Sequence, residues 1–239
     1  MKAVLFDLDG TLLPLDMEEF TQAYFAQLAT KLSSHINPKD LPGFVWASTK
    51  YMISNLESNK TNEEAFFEDF ATRIDNKLEE LHPIFEEFYK EDFKNLRSVV
   101  KPNILSKEII NELKRKNYDL VVATNPLFPK EAIHHRIQWA GLDINDFKLI
   151  TTYENMHFCK PNLEYYEEIL KKIGHESKDI MMVGNDMEED IIASKLGIKT
   201  FLIEDYIIDR ETEGLKPDYR GSMEDLYNHV KELPLRSES

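Results

Sequence analysis

The sequence predicts an α/β fold: a parallel sheet core interrupted by an all-helical insert. Three observations carry this. Five short apolar runs, several of them β-branched, have the length of buried strands. From the second run onward they alternate with segments of helical periodicity, the pattern of a parallel sheet. No strand-like run occurs between about Leu15 and Val99. The 239 residues, 42% of them hydrophobic, suffice for one core and a smaller satellite domain.

The elements follow in order. The first run, Ala3 to Phe6, is stopped by Asp7. In the insert, Met17, Phe20, Tyr24, Leu28 and Leu32 fall at helical spacing. Thr61 with Glu64 makes a capping-box pattern ahead of Phe67, Phe70, Ile74, Leu78 and Leu81. Pro83 is expected to interrupt that pattern, and an aromatic stripe continues through Phe85, Phe88 and Phe93. Ser106 is expected to cap a helix bearing Ile109, Ile110 and Leu113. The second run is Leu120 to Ala123. Pro129 then opens a helix with Ile133, Ile137 and Ala140, closed by Gly141. After the third run, Phe147 to Ile150, Asn162 is placed to cap a helix with Tyr166, Ile169, Leu170 and Ile173, ended by Gly174. The fourth run, Ile180 to Val183, leads to the stripe Ile191, Ile192 and Leu196, ended by Gly197. The fifth is Thr200 to Ile203. The tail is expected to stay irregular until a short helix from Ser222 to Leu233, with Arg236 to Ser239 fraying. Residues 1–14 and 100–239 thus form the α/β core and 15–99 the helical insert.

Charge and composition exclude several partners. Lys and Arg total 29 against 44 Asp and Glu, a net charge of −15. A nucleic-acid duplex is bound through phosphate neutralisation by Lys and Arg, which are the minority here. An anionic membrane surface is disfavoured for the same reason. A small anionic substrate remains compatible, because a site can be locally positive in a negative protein. A lone cysteine, Cys159, leaves no intramolecular disulfide and no Cys-based zinc cluster, and is read as a packing residue. His134 and His135 are helix neighbours about 100° apart and poorly placed to chelate together. The first apolar run is too short for a signal peptide, and no stretch approaches the ~18 apolar residues of a membrane span. The expectation is a soluble, cytoplasmic protein.

Open parallel sheets bind ligands at the carboxyl ends of their strands. After the first strand come Asp7, Leu8, Asp9, Gly10 and Thr11; after the second, Thr124 and Asn125; beyond the third, Lys160 and Pro161; after the fourth, Gly184, Asn185 and Asp186, with Asp190 four residues on. In extended chain Asp7 and Asp9 face the same side. Together with Asp186 they form an oxygen-only set suited to Mg²⁺, and without a cation they are expected to crowd like charges. A carboxylate beside Mg²⁺ can attack a phosphoryl group. A second carboxyl can protonate the leaving oxygen and later deprotonate water. Thr124 and the Asn125 backbone amide are candidates to hold phosphoryl oxygens, with Lys160 as compact positive charge for that group and for the nucleophile.

These segments resemble the haloacid dehalogenase-like hydrolases. Phe6-Asp7-Leu8-Asp9-Gly10-Thr11-Leu12 is similar to the family's first signature, Thr124 to its second, Lys160-Pro161 to its third, and Gly184-Asn185-Asp186 with Asp190 to its fourth. The resemblance spans roughly residues 1 to 14 and 100 to 205. It implies a Rossmann-like core with a helical cap inserted after the first strand. It also implies Asp7 as nucleophile, Asp9 as general acid/base, and Mg²⁺ held by the Asp7 carboxylate, the Asp9 backbone carbonyl and the fourth-motif acid. Many members carry Gly-Asp-Ser at the fourth motif, where this sequence has Gly184-Asn185-Asp186. Asp186, the acid at the turn, is therefore assigned as ligand, with Asn185 and Asp190 as supporting partners. The resemblance further implies that dehalogenating and phosphonate-cleaving members lack an acid at the position of Asp9, so its presence favours phosphate esters.

The expected activity is Mg²⁺-dependent hydrolysis of a small phosphorylated metabolite, such as a sugar phosphate or nucleotide, through an aspartyl phosphate. A phosphomutase on the same core and a non-catalytic regulatory protein are the alternatives. The cap is expected to open and close over the site. Lys50, Tyr51 and Asn55 in the insert are candidates for substrate contact.

Overall fold

The computed structural model describes residues 1–75, 77–101, 103–210 and 214–236. Strand β1 (Ala3–Phe6) is buried along its whole length. An insert follows, of α1 (Met17–Lys31), α2 (Leu41–Ser54), α3 (Asn62–Arg73) and α4 (Leu78–Glu87), then a π turn, Phe88–Asp92, and a 3₁₀ segment, Phe93–Val99. The chain returns through α5 (Ile104–Arg115), β2 (Asp119–Val122), α6 (Lys130–Trp139), β3 (Leu149–Ile150), α7 (Leu163–Ile173) and β4 (Ile180–Gly184). A 3₁₀ segment, Ile191–Leu196, then β5 (Lys199–Ile203), β6 (Tyr219–Gly221) and α8 (Met223–Glu232) complete it.

The six strands form one parallel sheet in the order β3-β2-β1-β4-β5-β6. β1 lies between β2 and β4, with Phe6 beside Val122 and Val183. A strand covered on both faces needs apolar side chains in both directions, which is why Ala3 to Phe6 reads as a run and not as an alternation. The chain order reverses at β1, so a crevice opens beyond its carboxyl end, where ligands of such sheets bind.

The insert is helical, as its periodicity predicts, with two differences, and the core has others. Helix α2 was not legible: Pro42 and Gly43 open it, and Ser48 and Thr49 are buried on its inner face. Pro83 lies inside α4 and does not end it; the helix runs on to Glu87 and loosens into the π turn. α5 is capped by Asn103, whose side chain accepts from the Leu105 amide, whereas buried Ser106 donates to the Leu12 carbonyl at 2.6 Å. The Thr61–Glu64 capping box forms as expected. Helix α7 begins after Asn162, but that side chain donates to the carbonyls of Ile53 and Cys159 and caps no amide. The Ile191 stripe is 3₁₀.

One continuous apolar cluster joins the insert (Phe20, Tyr24, Phe93) to the sheet face and α6 (Val4, Ile133, Trp139). Backbone bonds cross the same seam. The first amides of α3 find acceptors in the core, Asn62 to Met156 O at 2.8 Å and Glu63 to Tyr153 O at 2.9 Å. Arg236, expected to fray, is anchored on the carbonyls of Lys2 and Asn117; residues 237–239 lie outside the described ones. No described helix is long and apolar enough to cross a membrane.

Candidate active site

The loops after β1, β2 and β4 converge on a cavity of about 160 Å³ whose lining includes Asp7, Asp9, Thr124, Asn125, Asn185 and Asp186. Ladder-like bonds continue past the strand ends and fix the backbone there: the Asp7 amide donates to Val183 O at 2.8 Å and the Ala123 amide to Phe6 O at 2.7 Å. Gly10 then turns the chain with φ +83°, and a Cβ there would strike the Asn185 side chain.

Lys160 is 0% exposed. Its ammonium donates to Asp7 Oδ1 at 2.9 Å and Asp190 Oδ1 at 2.6 Å, with the Tyr165 ring 5.9 Å away. It precedes a cis peptide bond to Pro161. Burial works against its charge, but Asp190 and Asp7 outweigh burial and hold the ammonium well above the ordinary lysine value. Burial pushes the Asp7 carboxyl up to about 6, with Lys160 opposing. Burial likewise lifts Asp190 to about 7, against the same lysine.

Of the expected crowding, Asp9 does push the Asp7 carboxyl up, but the three acids Asp7, Asp9 and Asp186 do not gather as one cluster. Each carboxylate has its own cation, supplied by a different element. Asp7 takes Lys160. Asp9 pairs with Arg136, from α6. Asp186 accepts both from Arg210 (2.6 and 2.7 Å), in the loop after β5, and from the amides of Glu188 and Glu189 in its own turn. Among the described residues, no three acidic, histidine or cysteine side chains gather as one cluster. Burial raises the Asp9 carboxyl and Arg136 opposes it. Arg136 is itself buried, with Phe128 stacked 4.6 Å from its guanidinium carbon. Its Nη2 and Asp9 Oδ1 are buried without a hydrogen-bond partner.

The other expected residues are tied into the same network. Asn125 clamps the Lys160 backbone, accepting from its amide at 3.2 Å and donating to its carbonyl at 3.3 Å; the same amide group reaches Glu189. The Thr124 carbonyl accepts from Thr151 and Tyr165, which fixes this residue at the cavity wall. Asn185 accepts from Thr11 and donates to Tyr206 O, joining the β1 loop to the segment after β5. Asp190 also accepts from the Asp186 amide, lying so close under Gly184 that a Cβ there would fall on its carboxylate. Cys159 is buried, and burial pushes its thiol up, in keeping with a packing role. Of Lys50, Tyr51 and Asn55, none lines this cavity.

Arg136 and Arg210 were missed from sequence. Arg136 had a signal: with Ile133, Ile137 and Ala140 it occupies the buried face of one helix, where an arginine needs a partner. Arg210 had none, since it sits in irregular chain.

Comparisons with known proteins place the chain in a family. A glyceraldehyde 3-phosphate phosphatase of Methanothermobacter thermautotrophicus is 24% identical over 223 residues, 89% of this chain and 90% of that one. The pyrophosphatase PpaX of Bacillus cereus is 23% identical over 220 residues, covering 92% and 91%. The crystal structure of a HAD phosphatase from Thermococcus onnurineus shares the fold, with a TM-score of 0.62 at 21% identity over 99% of this chain and 100% of that one. The family model of the haloacid dehalogenase-like hydrolases matches residues 4–203, which takes in every acid and cation of the site except Arg210. The chain belongs to the haloacid dehalogenase-like hydrolase family.

Proposed function

We propose that the protein is a Mg²⁺-dependent phosphatase of small phosphomonoesters, working through a phosphoryl group held covalently on Asp7. The observation that carries this reading is the fully buried Lys160 between Asp7 and Asp190, in one site with a second carboxyl at Asp9. The phosphatase names of the relatives support the reaction class.

The residues fit the metal. Asp7 and Asp186 bring hard carboxylate oxygens to one cavity, the donor type Mg²⁺ selects, and the family resemblance adds the Asp9 carbonyl. Arg210 now neutralises Asp186 and has to give way to the ion. When bound, Mg²⁺ would supply positive charge to the phosphoryl oxygens.

The chain's own groups account for the remaining steps. Asp7 attacks phosphorus, and the bond from phosphorus to the leaving oxygen breaks. Asp9 gives that oxygen its proton, so the leaving group departs as an alcohol. The ionised Asp9 then takes a proton from water, whose oxygen attacks phosphorus. The bond to Asp7 breaks, freeing phosphate and restoring the carboxylate. Asp9 therefore has to be stable in both forms. Burial favours the protonated one and Arg136 the ionised one, so their opposition suits a group that serves twice. General acid catalysis of this kind contributes roughly 10²–10⁴-fold. Phosphate monoesters need far more, toward or beyond the top of the ~8–23 kcal/mol range. The rest falls to the nucleophile and to fixed charge in a water-poor site, Lys160 included.

The test is phosphate release from a panel of phosphomonoesters, with Mg²⁺ and with chelator, beside Asp7→Asn. Release that needs both the ion and Asp7 is expected. Near-normal turnover by Asp7→Asn overturns the mechanism, and indifference to chelator overturns the metal. Bisphosphate-primed isomerisation with little free phosphate would identify a mutase instead.

A further inference from the structure

Beside the catalytic cavity lies a second one, of about 110 Å³, enclosed mainly by α1, α2, α3 and the loop after β2. Its wall is mostly aromatic, including Phe20, Tyr24, Trp46, Phe66, Tyr89 and Phe128. None of its lining residues carries a charge. The Tyr24 and Tyr89 hydroxyls bond each other at 2.7 Å, and Thr21, Thr49 and Tyr153 are the other hydroxyl-bearing residues of a lining that is otherwise apolar.

Three residues, Met17, Leu127 and Phe128, line both cavities. Phe128 is also the ring stacked on Arg136, which pairs with Asp9. Asp9 is the group that meets the leaving oxygen in the mechanism above. The aromatic space therefore adjoins the catalytic cavity on the side of Asp9 and Arg136, with Phe128 in the shared wall.

The chemistry of that space selects its occupant. An apolar cavity of roughly 150 Å³ takes a benzene ring, so this volume suits one ring or a short alkyl chain. A hydroxyl stranded among these rings costs about an order of magnitude in binding or more. A second anionic group is opposed further out: Phe67, Phe85, Tyr89 and Tyr153 also border a groove whose lining carries six glutamates against two lysines, Lys90 and Lys130.

We propose that this aromatic cavity is the leaving-group subsite, and that the preferred substrates are phosphomonoesters of uncharged aromatic or short apolar alcohols. The proposal rests on the phosphatase reading and narrows its substrate class.

Benzyl phosphate and glycerol 3-phosphate both release a primary alcohol, so their comparison isolates the subsite. Benzyl phosphate should have the higher kcat/KM by about 10²-fold, the discrimination expected from burying one ring. Val45→Phe, which fills the cavity, should reduce that preference at least 10-fold. Binding is read separately by fluorescence of Trp46, which lines the cavity and is 49% exposed. Benzyl phosphate added to the Asp7→Asn protein should change that emission, and the change should vanish in Asp7→Asn/Trp46→Phe. A fluorescence response without phosphate release from any ester keeps the subsite and overturns only the phosphatase reading. Turnover of glycerol 3-phosphate or phosphocholine as fast as benzyl phosphate overturns the substrate class. Absence of any emission change overturns the subsite, whether or not Val45→Phe folds.

Discussion

Replacing Lys160 by methionine tests whether this lysine is what allows two carboxylates to stay buried together. Its ammonium lies 2.6 Å from Asp190 and 2.9 Å from Asp7. At an effective dielectric constant of ~20, each contact is worth about 6 kcal/mol of gross Coulomb attraction. Desolvation of the three ions offsets most of that, so the intact triad adds little net stability. Removing the cation alone is different, because both acids remain buried without their counter-charge. The expected loss is about 3–5 kcal/mol of unfolding free energy, against a total of ~5–15 kcal/mol for a typical protein. Methionine keeps most of the stem beside Tyr165, so lost packing contributes little. Asp190→Asn in the same background removes one stranded charge and should return about 2 kcal/mol of the loss. Urea unfolding at pH 7.5 in chelator, on wild type, Lys160→Met, Asp190→Asn and the double variant, measures these terms. Phosphate release by Lys160→Met should fall on the order of 10²–10³-fold, as when a fixed charge facing the transition state is lost. A Lys160→Met protein within 1 kcal/mol of wild type, or a double variant no more stable than Lys160→Met, refutes the reasoning.

Three further outcomes are expected. Arg210→Ala frees Asp186 from a half-exposed guanidinium worth up to about 1 kcal/mol, so Mg²⁺ should raise the melting temperature at up to ~5-fold lower concentration; an unchanged midpoint means the arginine does not compete with the ion. Gly184→Ala places a methyl on the Asp190 carboxylate and should cost about 1–3 kcal/mol in urea unfolding together with most activity, whereas a variant of native stability would contradict the packing. Burial holds His229, between the rings of Phe201 and Tyr219, below the ordinary histidine value of about 6.5. The unfolded chain therefore binds this proton first, so the stabilisation is complete above pH ~6.5 and is lost as pH falls through that range. His229→Gln should make the decline of melting temperature between pH 7.5 and 5.5 shallower, and an unaltered slope argues against it.

The parts of the fold that were legible are those whose signal is local. β1 and β4 are apolar runs ended by an aspartate or a glycine, and Gly141, Gly174 and Gly197 all take positive φ where a helix was expected to stop. The site acids and Lys160 were legible because each follows a strand of one sheet. What escaped depends on partners far along the chain. Ser106 looks like a cap from its neighbours, but its acceptor is Leu12. Asn125 was read for its backbone amide, and the work of its side chain, clamping the Lys160 backbone 35 residues away, did not show. β6, three residues at the sheet edge, is too short to show a period. The pairing of Asp9 and Asp186 with cations of their own was invisible for the same reason: Arg136 and Arg210 reach these acids only through the tertiary fold.

The position of β1 has a consequence for biosynthesis. This strand leaves the ribosome before either strand it pairs with, since those contain Asp119 and Ile180, the partners of Ala3. At ~5–20 residues per second, the central strand waits roughly ten to forty seconds for the second of them. During that time an apolar run of high β propensity is exposed to other nascent chains. Directly after it come Asp7 and Asp9, two negative charges of the kind that discourage strand-to-strand association. The aspartates to which the proposed mechanism gives the chemistry thus also place gatekeeper charges beside the unfinished sheet, a reason for their charge that applies before the protein has a site at all.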